Sequence, residues 1–140
     1  MKTELFQRPQ TLAEAMAWVN TKYPIEYAIR EWLDNFYKSN NEKRKKMIAV
    51  EPPIVKDNHL NAWLGAIAEH LAREYRLPIP EWTQNPKRFL HSAWFVSKLE
   101  SLKAMHIMES PTAFRKRMIF VSSDPLSRAS KFKENECKNC

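Results

Sequence analysis

The sequence predicts an all-α protein: a single compact domain of about five to seven helices with little or no sheet. Apolar side chains recur at helical spacing along most of the 140 residues, and 44% of the residues are hydrophobic. Gly65 is the only glycine, whereas tight hairpins place Gly or Asn-Gly where φ is positive. Nine prolines mark helix starts and loops instead. The single domain is predicted over residues 1–130, followed by a flexible polar tail at 131–140.

Three helices are predicted before the double proline of "EPPIVKD". Thr11 and Glu14 have capping-box spacing at the start of the first helix. Pro24 suits the first turn of the second helix, which is strongly amphipathic. The third, "NNEKRKKMIAV", is short and highly charged, and the prolines end it. The segment "EPPIVKD" is interpreted as a linker within the domain.

A helix near 58–76 is predicted to run through the centre of the core. Asp57 or Asn58 would cap its start. Its apolar side chains form one stripe along the helix: Leu60, Trp63, Leu64, Ile67, Leu71 and Tyr75. This is the strongest helical pattern in the chain, so it should position the later segments.

Shorter elements follow the central helix. "RLPIPEWTQNP" is a proline-punctuated loop, and Pro86 opens a short helical turn. "KLESLKAMHIM" predicts an amphipathic helix whose inward side chains are Leu99, Leu102, Met105 and His106.

The segment "ESPTAFRKRMIFVSSD" predicts a helix capped by Ser110 and opened by Pro111. The four residues "IFVS" favour a strand, but the sequence offers no obvious partner strand. Asp124 and Pro125 would then start a last short helix, "PLSRAS".

The sequence predicts a cytoplasmic protein. No stretch approaches the 18 or so consecutive apolar residues of a membrane span. The N-terminus "MKTELFQRPQ" lacks the apolar core of a signal peptide. The only cysteines are Cys137 and Cys140, which make a poor disulfide framework and suit a reducing compartment.

A basic surface is predicted in the second half of the chain. The net charge is +7, and residues 71–140 hold 13 Lys and Arg against 7 Asp and Glu. Candidate phosphate contacts are Arg115, Lys116, Arg117, Lys131 and Lys133. A basic nucleic-acid-binding protein is therefore one interpretation, and a solvated helix face is the alternative. The loop after the central helix is too long for a helix-turn-helix.

No pattern points to an enzyme, a cofactor or a metal site. No histidine pair has His-x-x-x-His spacing, and "CKNC" supplies only half of a zinc ligand set. The single glycine disfavours a glycine-rich phosphate loop. The prediction is a non-enzymatic protein without catalytic, cofactor-binding or metal-binding residues.

A protein interface is the leading functional prediction. Five tryptophans are many for this length, and Trp, Tyr and Arg are favoured at interface hot spots. Aromatic side chains in irregular segments are more easily left at the surface. The candidate interface consists of Trp82, Phe89, Trp94, Phe95, Arg115 and Arg117.

Three segments carry a family resemblance. "LNAWLGAIAEHLAREYRLPIPEWT", "RFLHSAWF" and "ESPTAFRKRMIFVSSDPLSRAS" follow one another in the order typical of an uncharacterised bacterial all-helical family. The similarity covers about residues 30–130, and its C-terminal part is the more specific. The family is loosely associated with toxin–antitoxin or regulatory loci, so the resemblance implies an antitoxin-like or regulatory partner of another protein. It implies no catalytic residues.

Overall fold

The computed structural model describes residues 9–19 and 24–128. The predicted all-α class is confirmed, because this part of the chain is mostly helical and its only sheet is a pair of two-residue strands. The predicted tail at 131–140 lies outside the described residues. The helices and strands are α1 (Leu12–Val19), α2 (Ile25–Lys38), α3 (Asn41–Ala49), α4 (Asn58–Glu74), β1 (Trp94–Phe95), α5 (Lys103–Glu109), α6 (Thr112–Arg115) and β2 (Ile119–Phe120).

The chain divides into two compact units. Of the described residues, 9–19, 24–52 and Arg128 form the N-terminal unit, and Pro53–Ser127 forms the C-terminal unit. The boundary falls between the two prolines of "EPPIVKD", the segment that the sequence suggested was a linker inside one domain. A single domain over 1–130 stays a prediction.

The N-terminal unit contains α1, α2 and α3. The predicted cap of α1 is present: Thr11 Oγ1 accepts from the Glu14 N–H at 3.0 Å. Glu14 Oε1 reaches back one residue further than a capping box does, to the Gln10 N–H at 2.7 Å. α1 packs against α2, whose Trp32 and Phe36 are fully buried.

A buried arginine links α3 to the end of α2. Asn40 caps α3 by accepting from the Lys43 N–H at 2.9 Å. Arg44 is 5% exposed, and it donates to the carbonyls of Phe36 at 2.9 Å and Tyr37 at 2.8 Å. Carbonyls in the last turn of a helix lack the usual intrahelical donors. Arg44 supplies a donor to Tyr37 and a second donor to Phe36, whose carbonyl also accepts from the Ser39 N–H at 3.1 Å.

α4 is the central helix of the C-terminal unit, as predicted. Asp57 caps it, accepting from the N–H groups of His59 at 3.0 Å and Leu60 at 3.4 Å. Most of its side chains are buried. It ends in a Schellman motif, in which the Leu77 N–H donates to the Ala72 carbonyl at 2.8 Å. Arg76 holds the left-handed position with a φ of 59°, where glycine is the usual residue.

The sole glycine lies where two arginines approach α4. A Cβ at Gly65 would lie 3.1 Å from the Arg88 Cβ and 3.1 Å from the Arg117 Nε. Such contacts are tighter than ordinary van der Waals contact, so a side chain here would displace these neighbours. Gly65 therefore serves close packing rather than a turn.

The small parallel sheet corrects the expectation that "IFVS" has no partner strand. β1 pairs with β2 in the register Trp94 with Ile119 and Phe95 with Phe120. The Trp94 N–H donates to the Met118 carbonyl at 2.8 Å. A parallel partner must come from a distant segment, so local sequence could not show it.

The amphipathic helix predicted from "KLESLKAMHIM" is only partly correct. A 3-10 turn at Glu100–Leu102 precedes the shorter α5. His106 is 7% exposed as expected, but Leu99 is 61% exposed and Met105 is 48% exposed. The inward placement of Leu99 and Met105 is therefore wrong.

Two predicted helix starts near the end of the C-terminal unit are also wrong. Ser110 does not cap α6: its hydroxyl accepts from the Val121 N–H at 2.8 Å and donates to the His106 carbonyl. The Ser110 hydroxyl therefore bonds to a residue 11 positions away and not to the first turn of α6. After Asp124, residues 125–128 form a turn and coil, not a helix.

Candidate functional site

The four aromatic residues of the predicted interface are half-buried and packed within the C-terminal unit. The Arg88 guanidinium lies 4.9 Å from the ring centre of Trp82, and the Arg117 guanidinium lies 4.4 Å from that of Phe89. Trp94 and Phe95, the two residues of β1, pack against other aromatic rings. Trp94 stacks on His59 at 4.3 Å, and Phe95 stacks on Phe120 at 5.0 Å.

The structure separates the cations that the sequence grouped together. Arg115 is exposed and donates to the Met108 carbonyl at 2.7 Å. Lys116 Nζ lies 3.1 Å from Glu69 Oε2. Arg117 is 0% exposed, so its predicted place at the edge of an interface or on phosphate is wrong. Lys131 and Lys133 lie outside the described residues.

Arg117 is buried because a buried carboxylate binds it. Glu69 of α4 is also 0% exposed, and its Oε1 accepts from Arg117 Nη1 at 2.7 Å and from Gln84 Nε2 at 3.1 Å. Its Oε2 lies 2.8 Å from Arg73 Nη2 and 3.1 Å from Lys116 Nζ. Four side chains thus donate to one carboxylate, which we call the Glu69 cluster.

The hydrogen bonds in the Glu69 cluster favour the ionised carboxylate. Burial by itself would raise the pKa of Glu69, but the donors, Arg117 first among them, outweigh it and lower the pKa to about 2. Burial lowers the pKa of Arg117, and Glu69 opposes that change. A carboxylate with this pKa and four donors is unsuited to act as a base near neutral pH.

The remaining bonds of Arg117 show what the Glu69 cluster does. Arg117 Nη1 donates to the Ala113 carbonyl at 2.8 Å, and Nη2 donates to the Thr83 carbonyl. One guanidinium therefore connects α4, α6 and the 3-10 turn Glu81–Gln84. The arrangement organises the C-terminal unit, and its signal in the sequence is only a glutamate among the apolar residues of α4.

An exposed apolar surface lies beside α5, where the sequence placed buried residues. Nine large apolar side chains are exposed in the described part of the chain, and five of them fall within 13 residues. We call these five the 96–108 surface: Val96 (39% exposed), Leu99 (61%), Met105 (48%), Ile107 (48%) and Met108 (78%).

The 96–108 surface exists because α5 is attached through few side chains. His106 is the only buried residue of α5. Helical spacing brings residues three or four apart onto one face, so Ile107 and Met108 cannot share the inward face with His106. A signal was available in the sequence: four of the seven residues of α5 are Met, Ile or Ala, around a single histidine.

Comparison of the chain with protein-family models, curated proteins and solved structures finds no match. What is established is the class of protein, a mostly helical chain of two compact units.

Residues 9–19 and 24–128 lack two features that would indicate a function. In these ranges, no helix is long and apolar enough to cross a membrane. In the same ranges, no group of three His, Cys, Asp or Glu side chains could hold a metal ion. Cys137 and Cys140 lie outside them.

Proposed function

We propose that the protein is a non-enzymatic interaction module of the bacterial cytoplasm that binds an acidic protein partner through the 96–108 surface. The observation that carries this proposal is the exposure of Met108 at 78%, with four more large apolar side chains exposed within the same 13 residues. A concentration of exposed apolar side chains is characteristic of binding surfaces, because leaving them in water is unfavourable.

The composition of the 96–108 surface suits a helical or irregular protein segment. Met105 and Met108 are unbranched and polarisable, so they can adapt to a partner's shape. Phe95, a residue of the interface predicted from sequence, adjoins the surface in sequence, and the Lys103 ammonium lies 5.2 Å from its ring centre. The Phe95 ring itself is half-buried.

The charge of the chain favours an acidic partner over a second copy. Two copies with a net charge of +7 repel each other. Lys98 and Arg115 are exposed near the surface in sequence, and such cations accelerate association with an acidic protein. In an antitoxin-like or regulatory role, binding would cover a functional surface of the partner. Such a role agrees with the family resemblance.

The test compares the wild-type chain with Met108→Lys and Leu99→Ser. Val50→Lys is the matched control, because Val50 is 51% exposed but lies outside the 96–108 surface. Tagged proteins are used to recover partners from nuclease-treated native extract. The partner is then purified and titrated by calorimetry. We expect Met108→Lys and Leu99→Ser to weaken binding at least about tenfold, and Val50→Lys to bind like wild type.

Three results would overturn the proposal. The first is a partner that binds Met108→Lys as tightly as wild type. The second is a wild-type homodimer in light scattering that Met108→Lys dissociates, since the surface would then serve self-association. The third is recovery of nucleic acid alone, with no protein left after nuclease. Circular dichroism of every variant confirms that exposed substitutions leave the fold intact.

A further inference from the structure

A cleft on the C-terminal unit lies apart in sequence from the 96–108 surface. It has a volume of about 490 Å³ and is bounded by the segment before α4 and by residues 86–91. Its apolar lining includes Ile54, Val55, Phe89 and Leu90. This volume lies within the range of about 300–1,000 Å³ typical of small-molecule sites.

Every ionisable residue that lines the cleft is basic. These residues are Lys56, Lys87 and His91. No Asp or Glu lines it, and the neighbouring carboxylate of Asp57 is engaged in capping α4. Cations from two separate segments around an apolar lining create a positive potential that attracts anions.

The walls of the cleft are held by specific bonds. The Asn61 side chain accepts from the Val55 N–H at 2.9 Å and donates to the Val55 carbonyl at 2.8 Å. On the other wall, Asn85 accepts from the Lys87 N–H at 3.0 Å. The Phe89 ring also packs against the Arg117 guanidinium, 4.4 Å from the ring centre. A site with fixed walls loses little entropy on binding.

We propose that this cleft binds a small organic anion, with its anionic group between Lys56 and Lys87 and its apolar body against Phe89 and Leu90. The ammonium groups supply the attraction for a carboxylate or phosphate group, and the apolar lining selects against ions without an apolar part. The proposal does not depend on the 96–108 surface.

The experiment uses three probes of one shape: 1-naphthoate, 1-naphthyl phosphate and the neutral 1-naphthamide. Each is titrated into the full ¹⁵N-labelled chain and followed by amide chemical shifts. We expect an anionic probe to shift the signals of Val55, Asn61, Lys87 and Leu90. The amide should bind at least about fivefold more weakly. The stronger of the two anions identifies the head group that the cleft prefers.

The double variant Lys56→Gln/Lys87→Gln should bind the preferred anion at least about fivefold more weakly than wild type. The matched control Lys45→Gln/Lys46→Gln removes two exposed lysines outside the cleft and should bind like wild type. Equal binding of the amide and the anions would overturn the proposal, as would shifts confined to residues 96–108. Retained affinity in the double variant, or saturation by no probe at millimolar concentration, would also overturn it.

Discussion

Two buried arginines, Arg44 in the N-terminal unit and Arg117 in the C-terminal unit, donate to different kinds of acceptor. In the N-terminal unit, Arg44 donates to the main-chain carbonyls of Phe36 and Tyr37. In the C-terminal unit, Arg117 binds the carboxylate of Glu69, and both side chains are 0% exposed. A carbonyl is neutral, whereas a carboxylate carries a charge that itself requires compensation.

This difference predicts which substitution costs the protein more stability. Removal of one partner of a buried pair leaves an uncompensated charge, which costs far more than the pair contributes. Loss of Arg44 would leave the carbonyls of Phe36 and Tyr37, which are neutral acceptors, without these two donors. The stability of the C-terminal unit should therefore be the more sensitive to substitution of a single charged residue.

The largest effect is expected for Glu69→Gln. This change leaves Arg117 buried without a counter-charge and should lower the free energy of unfolding by about 3–5 kcal/mol. Urea unfolding measures the loss, and amide hydrogen exchange should show α4 losing more protection than α2. Glu74→Gln on the same helix is the control, because the Glu74 side chain is 35% exposed. A decrease in the free energy of unfolding of less than about 1 kcal/mol is what an exposed ion pair contributes. That result would mean that the buried pair of Glu69 and Arg117 is no more important than a surface pair.

Acid should destabilise the wild-type protein through Glu69. Its pKa is lowered from 4.5 to about 2, so its contribution to stability is fully present above pH 4.5 and is lost as the pH falls towards 2. The shift corresponds to about 3 kcal/mol. Urea unfolding of wild type and Glu69→Gln at several pH values should give curves that converge in acid. Parallel curves would show that Glu69 does not titrate in this range.

Arg44→Met should have an intermediate effect. The thioether keeps part of the packing but leaves two carbonyls at the end of α2 without these donors, which should cost about 2 kcal/mol. Thermal unfolding measures it, with Lys43→Met as the exposed neighbour for comparison. A loss as large as that of Glu69→Gln would mean that the two ways of burying a cation are equivalent.

The smallest effect is expected at the bidentate pair of Arg128 with Asp34, whose side chains are 30% and 13% exposed. The hydrogen bond to Asp34 raises the pKa of Arg128, but solvent screens the attraction. Arg128→Ala should cost about 0.5–1 kcal/mol, and high salt should reduce the difference from wild type. A loss of stability that does not change with salt would indicate that the aliphatic part of Arg128 stabilises the protein by packing.

Most helices could be predicted from the sequence, but the function of the charged residues could not. The caps Thr11 and Asp57 act over a few residues, so the sequence alone was enough to predict them. The triplet Arg115, Lys116 and Arg117 looked like one solvated group. Arg117 of this triplet is buried because it binds Glu69, which lies 48 residues earlier in the chain. None of the three comparisons could supply this information.

The sequence by itself determined the all-α class, the central helix and the segments where helices stop, because capping, proline and apolar periodicity act locally. Tertiary structure decided which cations are buried, which strand pairs with "IFVS" and which apolar residues around α5 remain in water. These outcomes depend on contacts between residues far apart in the chain, and the energy of a charge or an apolar group is set by what surrounds it.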